Sequence, residues 1–170
     1  MTGRVVGLFV APEAGAPPES RTGVRVVDGG IAGDRYCRGA GHFSRVGDGH
    51  PITLVAARAV GDAERTVDAA LAPGWHRRNV VVDAEDLDAA RGAALAVGDA
   101  RLRVTRDRPP CAHLEATLGG ADVADALRGR AGVCADVDDP GAVAVGDAVR
   151  VAAPSPREAG RQIAERLRRD

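Results

Sequence analysis

Six consecutive residues, Arg106-Asp107-Arg108-Pro109-Pro110-Cys111, put one thiol directly after a double proline and close to two guanidinium groups. A strand pattern, Ala100 to Thr105, leads into them. Proline has no N–H and a fixed φ, so the pair ends the strand and stiffens its exit. The pattern predicts a thiol at the rim of a sheet, between two arginines and the first turn of a helix. Cations and a helix N-terminus both favour thiolate over thiol, and the thiolate is the form that attacks electrophiles and binds soft metals. Cys111 is therefore the first candidate for nucleophilic or metal chemistry. The alternative for a single cysteine is a buried, inert side chain.

The remaining soft and titratable groups carry weaker signals. Cys37 lies in a loop rich in glycine and arginine and is a candidate second thiol. Cys134 opens a valine-containing strand and reads as core. The histidines are His42, His50, His76 and His113. A zinc site from Cys111 and His113 would lack the usual ligand spacing and further thiols. Lysine is missing altogether: all 23 Lys-plus-Arg positions are arginine. With no side-chain amine to form an aldimine, covalently bound pyridoxal phosphate is not expected in this chain, and a phosphate loop built on lysine is excluded.

Bulk properties narrow the setting. A chain of 170 residues is long enough for one domain with a real core. The net charge of -1 and 2% aromatic content give no basis for nucleic-acid or anionic-membrane binding. Three dispersed cysteines make neither a disulfide framework nor an iron–sulfur site. The start, Met1-Thr2-Gly3-Arg4, runs into a short apolar strand pattern and not a leader, and no apolar run reaches membrane-span length. The expectation is a soluble, cytoplasmic protein with no membrane or nucleic-acid partner.

The elements that must position these residues are mostly short strands between glycine turns. Val5 to Val10, Val24 to Val27, Ile52 to Val55, Asn79 to Val82, Leu95 to Val97, Val133 to Val137, Ala142 to Val145 and Ala148 to Ala152 carry strand patterns. Ala11 to Thr22 reads as a loop, and Gly33 to Gly49 as a long functional loop. Asp28-Gly29-Gly30, Gly98-Asp99 and Gly146-Asp147 are turns, the last expected to close a hairpin. Ala56 to Leu71 shifts to helical spacing, with Ala59, Val60, Ala63, Val67, Ala70 and Leu71 on one face. Leu114 to Leu127 is helical but broken at Gly119-Gly120. Ser155-Pro156-Arg157-Glu158 is a capping-box pattern opening an arginine-rich helix. Many strands and few helices predict a mainly β protein with a closed or nearly closed sheet.

Several strings, in order, resemble the MOSC family, named for the C-terminal domain of molybdenum-cofactor sulfurases. Gly30-Ile31-Ala32-Gly33-Asp34-Arg35-Tyr36 is similar to its G-I-x-G-D-R-[HY] string. Pro51 to Val55 resembles the strand that follows it. Arg77-Arg78-Asn79-Val80-Val81-Val82, with Asp86-Leu87, resembles the family's R-R-N block. Gly98-Asp99-Ala100, Arg108-Pro109-Pro110-Cys111, Arg130-Ala131-Gly132-Val133 and Val145-Gly146-Asp147-Ala148-Val149 resemble the later blocks. The likeness spans roughly residues 5 to 152.

The resemblance implies a MOSC-type β-barrel with a few peripheral helices, a single domain over 1–153 and a helical tail over 154–170. It implies the molybdenum cofactor (molybdopterin) as ligand, with Cys111 as catalytic residue and metal ligand. Asp34, Arg35, Arg77, Arg78, Asn79 and Arg108 are then cofactor-binding. Arginine forks suit a phosphate bidentately, and an asparagine amide suits a pterin edge or a backbone. Small stand-alone members resemble bacterial reductases of N-oxygenated compounds; Ala112-His113 departs from their pattern just after the cysteine. Such a reductase acts on a small-molecule substrate and needs an external electron donor. The alternative function is a sulfur carrier, with Cys111 holding a persulfide supplied by a separate cysteine desulfurase.

Overall fold

The computed structural model describes residues 1–41, 52–67, 71–110, 112–118, 122–153, 160 and 167–168, with the side chains of 112, 113 and 117 excepted. Eleven strands, three short helices and one 3-10 turn are described. Strands β1 (Thr2–Val10), β5 (Ile52–Ala56), β6 (Val80–Ala84), β7 (Ala94–Val97), β8 (Ala100–Asp107), β9 (Val133–Asp139) and β11 (Ala148–Ala152) form a ring. Its order is β11-β7-β8-β9-β5-β6-β1, and pairing of β1 with β11 closes it into a barrel. Closure leaves no ring strand with an unpaired edge. β2 (Glu19–Arg21) extends β1, while β10 (Gly141–Ala144), β3 (Gly23–Val27) and β4 (Gly30–Ile31) make a second, three-stranded sheet.

Strand alternation builds the barrel core. Leu54, Val80, Val82, Leu95, Leu102, Val104, Val133 and Ala135 pack together inside. Residues between them face outwards, where Val55 and Val81 meet Ala59 of helix α1 (Ala57–Thr66). β5 and β6 are the parallel pair in the ring, and α1 lies between them in sequence. A parallel pair needs such a crossover. Helix α1 also packs with helices α2 (Ala112–Thr117) and α3 (Val123–Ala126) through Ala63, Trp75, Leu114, Val123 and Leu127. The helices therefore cover one outer face of the barrel.

Three sequence expectations change. The expected helix to Leu71 stops at Thr66, where Val67 turns extended, although Val67 and Leu71 still pack on the helical cluster. The expected loop from Ala11 to Thr22 contains the short strand β2. Gly146-Asp147 does form a turn, with Asp147 N–H donating to the Ala144 carbonyl at 3.1 Å. It does not close a hairpin: β10 pairs with β3, and β11 pairs with β7 and β1, so the turn carries the chain from one sheet to the other. By contrast Val97 faces Ala100 across Gly98-Asp99, a two-residue hairpin with Gly98 at φ +55°.

Candidate functional site

Cys111, His42, Arg45, His50 and most of the tail lie outside the described residues. The strand that leads to Cys111 and the helix that follows it are described: β8 ends at Asp107 and α2 begins at Ala112. β8 thus runs two residues beyond the expected end at Thr105.

One irregularity in β8 governs the site. Val104 faces Ala135, and Arg106 faces Cys134. Two residues advance on β8 for one on β9, so Thr105 is a β-bulge. By plain alternation Arg106 would share the inward face of Val104. The bulge instead sets Arg106 beside Cys134 on the outward face. Cys134 in turn faces Thr53 on β5.

Positive charge gathers around Cys134. Its thiol is buried, and burial pushes its pKa up against the pull of Arg108, Arg106 and Arg78; Asp136 adds to the rise. Cys134 was expected in the core. It is buried, but on the outer side of the barrel wall, among arginines. Arg78 and Arg108, both expected at a cofactor site, meet here. Arg78 is 4% exposed and donates from Nε to the Ala131 carbonyl and from Nη1 to the His76 carbonyl, each at 2.9 Å. Arg108 N–H donates to the Gly132 carbonyl at 2.7 Å.

A second group lies along the same wall. Asp34 is 0%, Thr53 2%, Asn79 2% and Arg35 6% exposed, so all four work inside the protein. Asn79 Oδ1 accepts from Thr53 N–H at 3.1 Å and from the Thr53 hydroxyl at 2.8 Å. Asn79 Nδ2 donates to Asp34 Oδ2 at 3.1 Å and to the Phe9 carbonyl at 3.2 Å. Asp34 Oδ2 also accepts from Ala11 N–H at 3.2 Å and from Arg35 Nη1 at 3.4 Å, while Oδ1 accepts from Tyr36 N–H at 3.0 Å. The Arg35 guanidinium stacks over the Tyr36 ring, 4.8 Å from its centroid. Thr53 was not a candidate on the sequence. Its only signal was its place in a family-like string.

The intervening segment is held tightly. His76 is 2% exposed, and its Nδ1 accepts from Arg78 N–H at 3.1 Å. The neutral ring therefore carries its proton on Nε2. Burial, then the Arg78 charge, pushes its pKa down to about 3. Phe9 and Trp75 meet the ring edge-on. Arg77 adopts a positive φ of 56° and donates from Nη1 to the Ala16 carbonyl at 3.1 Å, away from the other two arginines' carbonyl partners. Arg77 thus ties the segment after β1 to the R-R-N block.

A cleft of about 550 Å³ opens beside the exit of β8. Asp88, Asp107, Arg108, Pro109 and Pro110 line it, with Arg128, Ala131 and Gly132. The Asp88 carboxyl is raised, first by lost solvation and then by repulsion from Asp107, against a hydrogen bond to the Gly132 backbone. Among the described residues no group of three or more His, Cys, Asp or Glu has metal-binding geometry. No helix among them is long and apolar enough to cross a membrane.

Comparison with known proteins gives the same architecture. A family profile described as the MOSC domain matches residues 42–150, more than half of the 170. The YuaD protein from Bacillus subtilis superposes at a TM-score of 0.72 with 20% identity, over 88% of this chain and 94% of that one. YiiM from Geobacillus stearothermophilus gives 0.70 with 15% identity, over 91% of this chain and 77% of that one. YiiM from Escherichia coli gives 0.60 with 17% identity, over 89% and 71%. At such identities the likeness shows the fold. No curated protein matches the chain.

Proposed function

Because the chain belongs to the MOSC domain family, we propose that it binds the molybdenum cofactor and reduces small N-oxygenated compounds. The observation that supports this reading best is the gathering of the Arg78, Arg106 and Arg108 charges around Cys134 at one point of the barrel wall. Convergent guanidinium groups, Arg78 buried and Arg106 and Arg108 half-buried, suit a ligand that carries a phosphate. The segment Arg108-Pro109-Pro110, which precedes Cys111 in the sequence, leaves β8 at that point.

In this reading Cys111 supplies the thiolate ligand, a soft donor matched to a thiophilic metal. Arg78 and Arg108 hold the anionic part of the cofactor, with Arg35 and Arg77 as further guanidinium donors. Asp34 and Asn79 act by fixing Arg35, since the Asn79 amide already makes four internal hydrogen bonds. When bound, the cofactor supplies a two-electron redox centre. Converting N–OH to N–H and water consumes two electrons and two protons, and the electrons come from an external donor protein. Asp88, whose pKa is raised first by burial and then by repulsion from Asp107, stands on the cleft wall as this chain's candidate proton donor.

The test is production in a host that makes the cofactor, followed by metal analysis, pterin fluorescence after oxidation, and turnover of an N-hydroxylated amidine with a chemical reductant. Wild type should carry molybdenum and pterin and consume the substrate, and Cys111→Ser should do neither while remaining folded. Wild type without pterin would overturn the reading. Sulfane sulfur on Cys111 in pterin-free protein would favour the sulfur-carrier function, with a cysteine desulfurase as partner.

A further inference from the structure

We infer that the cleft at the exit of β8 binds the substrate and selects a zwitterion: Asp107 takes the cationic group and Arg128 the anionic one. The inference rests on the proposed reductase activity for the reaction, and not for the binding.

The cleft is built before any ligand arrives. Its walls come from three segments: the 3-10 turn Asp88–Ala90, the strand exit from Asp107 to Pro110, and the turn over 128–132. Gly132 joins them. Its N–H donates to the Asp88 carboxyl, and its carbonyl accepts from Arg108 N–H at 2.7 Å. Asp107 is held in register opposite Val133, next to that glycine. Pro109 and Pro110, each with a fixed φ and no N–H to satisfy, add a stiff apolar stretch to the wall. A volume of about 550 Å³ lies in the range of pockets for small organic molecules. A preformed wall also spares the ligand the cost of ordering it.

The lining carries charge of both signs, and this points to the ligand. A phosphate group would meet arginines here but also two carboxyls, so the cleft does not suit the anionic part of the cofactor. A simple cation would leave Arg128 unmatched, and a simple anion Asp107. Asp107 and Asp88 repel one another within the cleft. A cationic group beside Asp107 relieves that repulsion, while Asp88, the candidate proton donor, stays out of the ion pair. Arg128 is paired with Asp125 three residues before it, and both side chains are largely exposed. Such pairs contribute little, so Arg128 exchanges Asp125 for a ligand carboxylate at small cost. Arg108 lines the cleft and also draws on the Cys134 thiol, so the cleft and the arginine group share a wall. A zwitterion bound here lies beside the arginines assigned to the cofactor.

The experiment titrates the full chain, purified from a cofactor-making host with its pterin content measured, with three probes. These are ε-aminocaproate, pentylamine (which lacks its carboxylate) and hexanoate (which lacks its ammonium), followed by NMR at the Gly129 and Gly132 amides. ε-Aminocaproate should bind at least about fivefold more tightly than either, the effect of one ion pair at a partly exposed site. Asp107→Asn should reduce it to the level of hexanoate, and Arg128→Gln to the level of pentylamine. Arg128→Lys should keep most of the advantage. Asp125→Asn, which releases Arg128, should not weaken binding. All four variants should keep the amide protection of β7 and β11, since the altered residues are exposed. ε-Aminocaproate should also compete with the N-hydroxylated amidine in turnover, and hexanoate should not. Equal affinity for the three probes, or no shift at either glycine, would overturn the inference. So would zwitterion binding that leaves turnover unaffected. Zwitterion-selective binding to protein that never carries pterin would uphold the selectivity of the cleft and overturn the reductase reading. Normal turnover without zwitterion selectivity would do the reverse.

Discussion

Asn79 Nδ2 donates to Asp34 Oδ2 at 3.1 Å, joining two family-like strings that stand 45 residues apart. The bond links the turn after β4 to the start of β6, and through Thr53 to β5. It makes the site and the fold partly the same thing, so changes at these residues should be read in stability as well as in binding.

Asn79→Ala removes the partner of Thr53, Phe9 and Asp34 together. Stranding buried polar groups costs roughly 1–3 kcal/mol each, so the variant should lose at least about 3 kcal/mol in urea unfolding. Asn79→Asp should be worse near neutral pH, because two carboxylates would then meet. A like-charged neighbour raises a folded-state pKa above its unfolded value, and the stability so linked is regained as pH falls. The Asn79→Asp deficit should therefore shrink from pH 7 towards pH 5. A deficit that grows over that range would contradict the geometry.

His76 gives a pH prediction of opposite sign. Its folded pKa is about 3 against an ordinary 6.5. Between these values the unfolded chain takes up a proton that the folded chain refuses. Its contribution is intact above 6.5 and is lost as pH falls, at up to about 1.4 kcal/mol per unit. His76→Asn keeps an acceptor for Arg78 N–H without the titration. The difference in unfolding free energy between wild type and variant should slope with pH from 6.5 to 4 and be flat from 7 to 8.5.

Two glycines separate backbone strain from steric clash. Gly132 has φ +93°, and a Cβ there would run into the Leu54 carbonyl oxygen. Gly129 has φ +74°, and among the described residues no atom lies within 4 Å of a Cβ placed there. Gly129→Ala should cost only the left-handed backbone penalty, about 1–2 kcal/mol. Gly132→Ala should cost that plus displacement of β5 from the approach to β9, giving at least twice the loss. Equal unfolding midpoints for the two variants would refute the close approach.

Cys134 and Cys37 differ in exposure and so in reactivity. Cys134 is buried with its pKa raised despite three nearby arginines, and Cys37 is partly exposed. Iodoacetamide at pH 8, followed by peptide mass analysis, should label Cys37 at least about tenfold faster than Cys134 in the folded protein, because only the accessible thiolate reacts. The rates should converge in urea. Fast labelling of Cys134 in the native state would place its thiol at an open surface.

Much of the fold was legible along the chain. Valine alternation marked β1, β3, β5, β6, β7 and β9, and Gly98-Asp99 marked its hairpin, because turn chemistry and side-chain period are local properties. The apolar face of α1 was legible for the same reason: Ala59 and Ala63 are its buried residues. Gly146-Asp147 was legible as a turn but not as a corner between sheets, since identical turn residues serve both uses.

What the sequence by itself determined is the inventory: strands enough for a barrel, no lysine for aldimine chemistry, one thiol at a stiffened strand exit, and arginines as the basic groups around it. Tertiary structure alone decided which of these meet. Alternation assigns faces within one segment and carries no information on which distant segment lies alongside. It gave Arg106 the parity of the core residue Val104, and the bulge at Thr105 reversed that, setting Arg106 beside Cys134. It gave Thr53 no role, because that role consists of bonds to Asn79, 26 residues away. Both outcomes depend on strand register, which is fixed by closing the whole ring and burying its core together, not by any one segment.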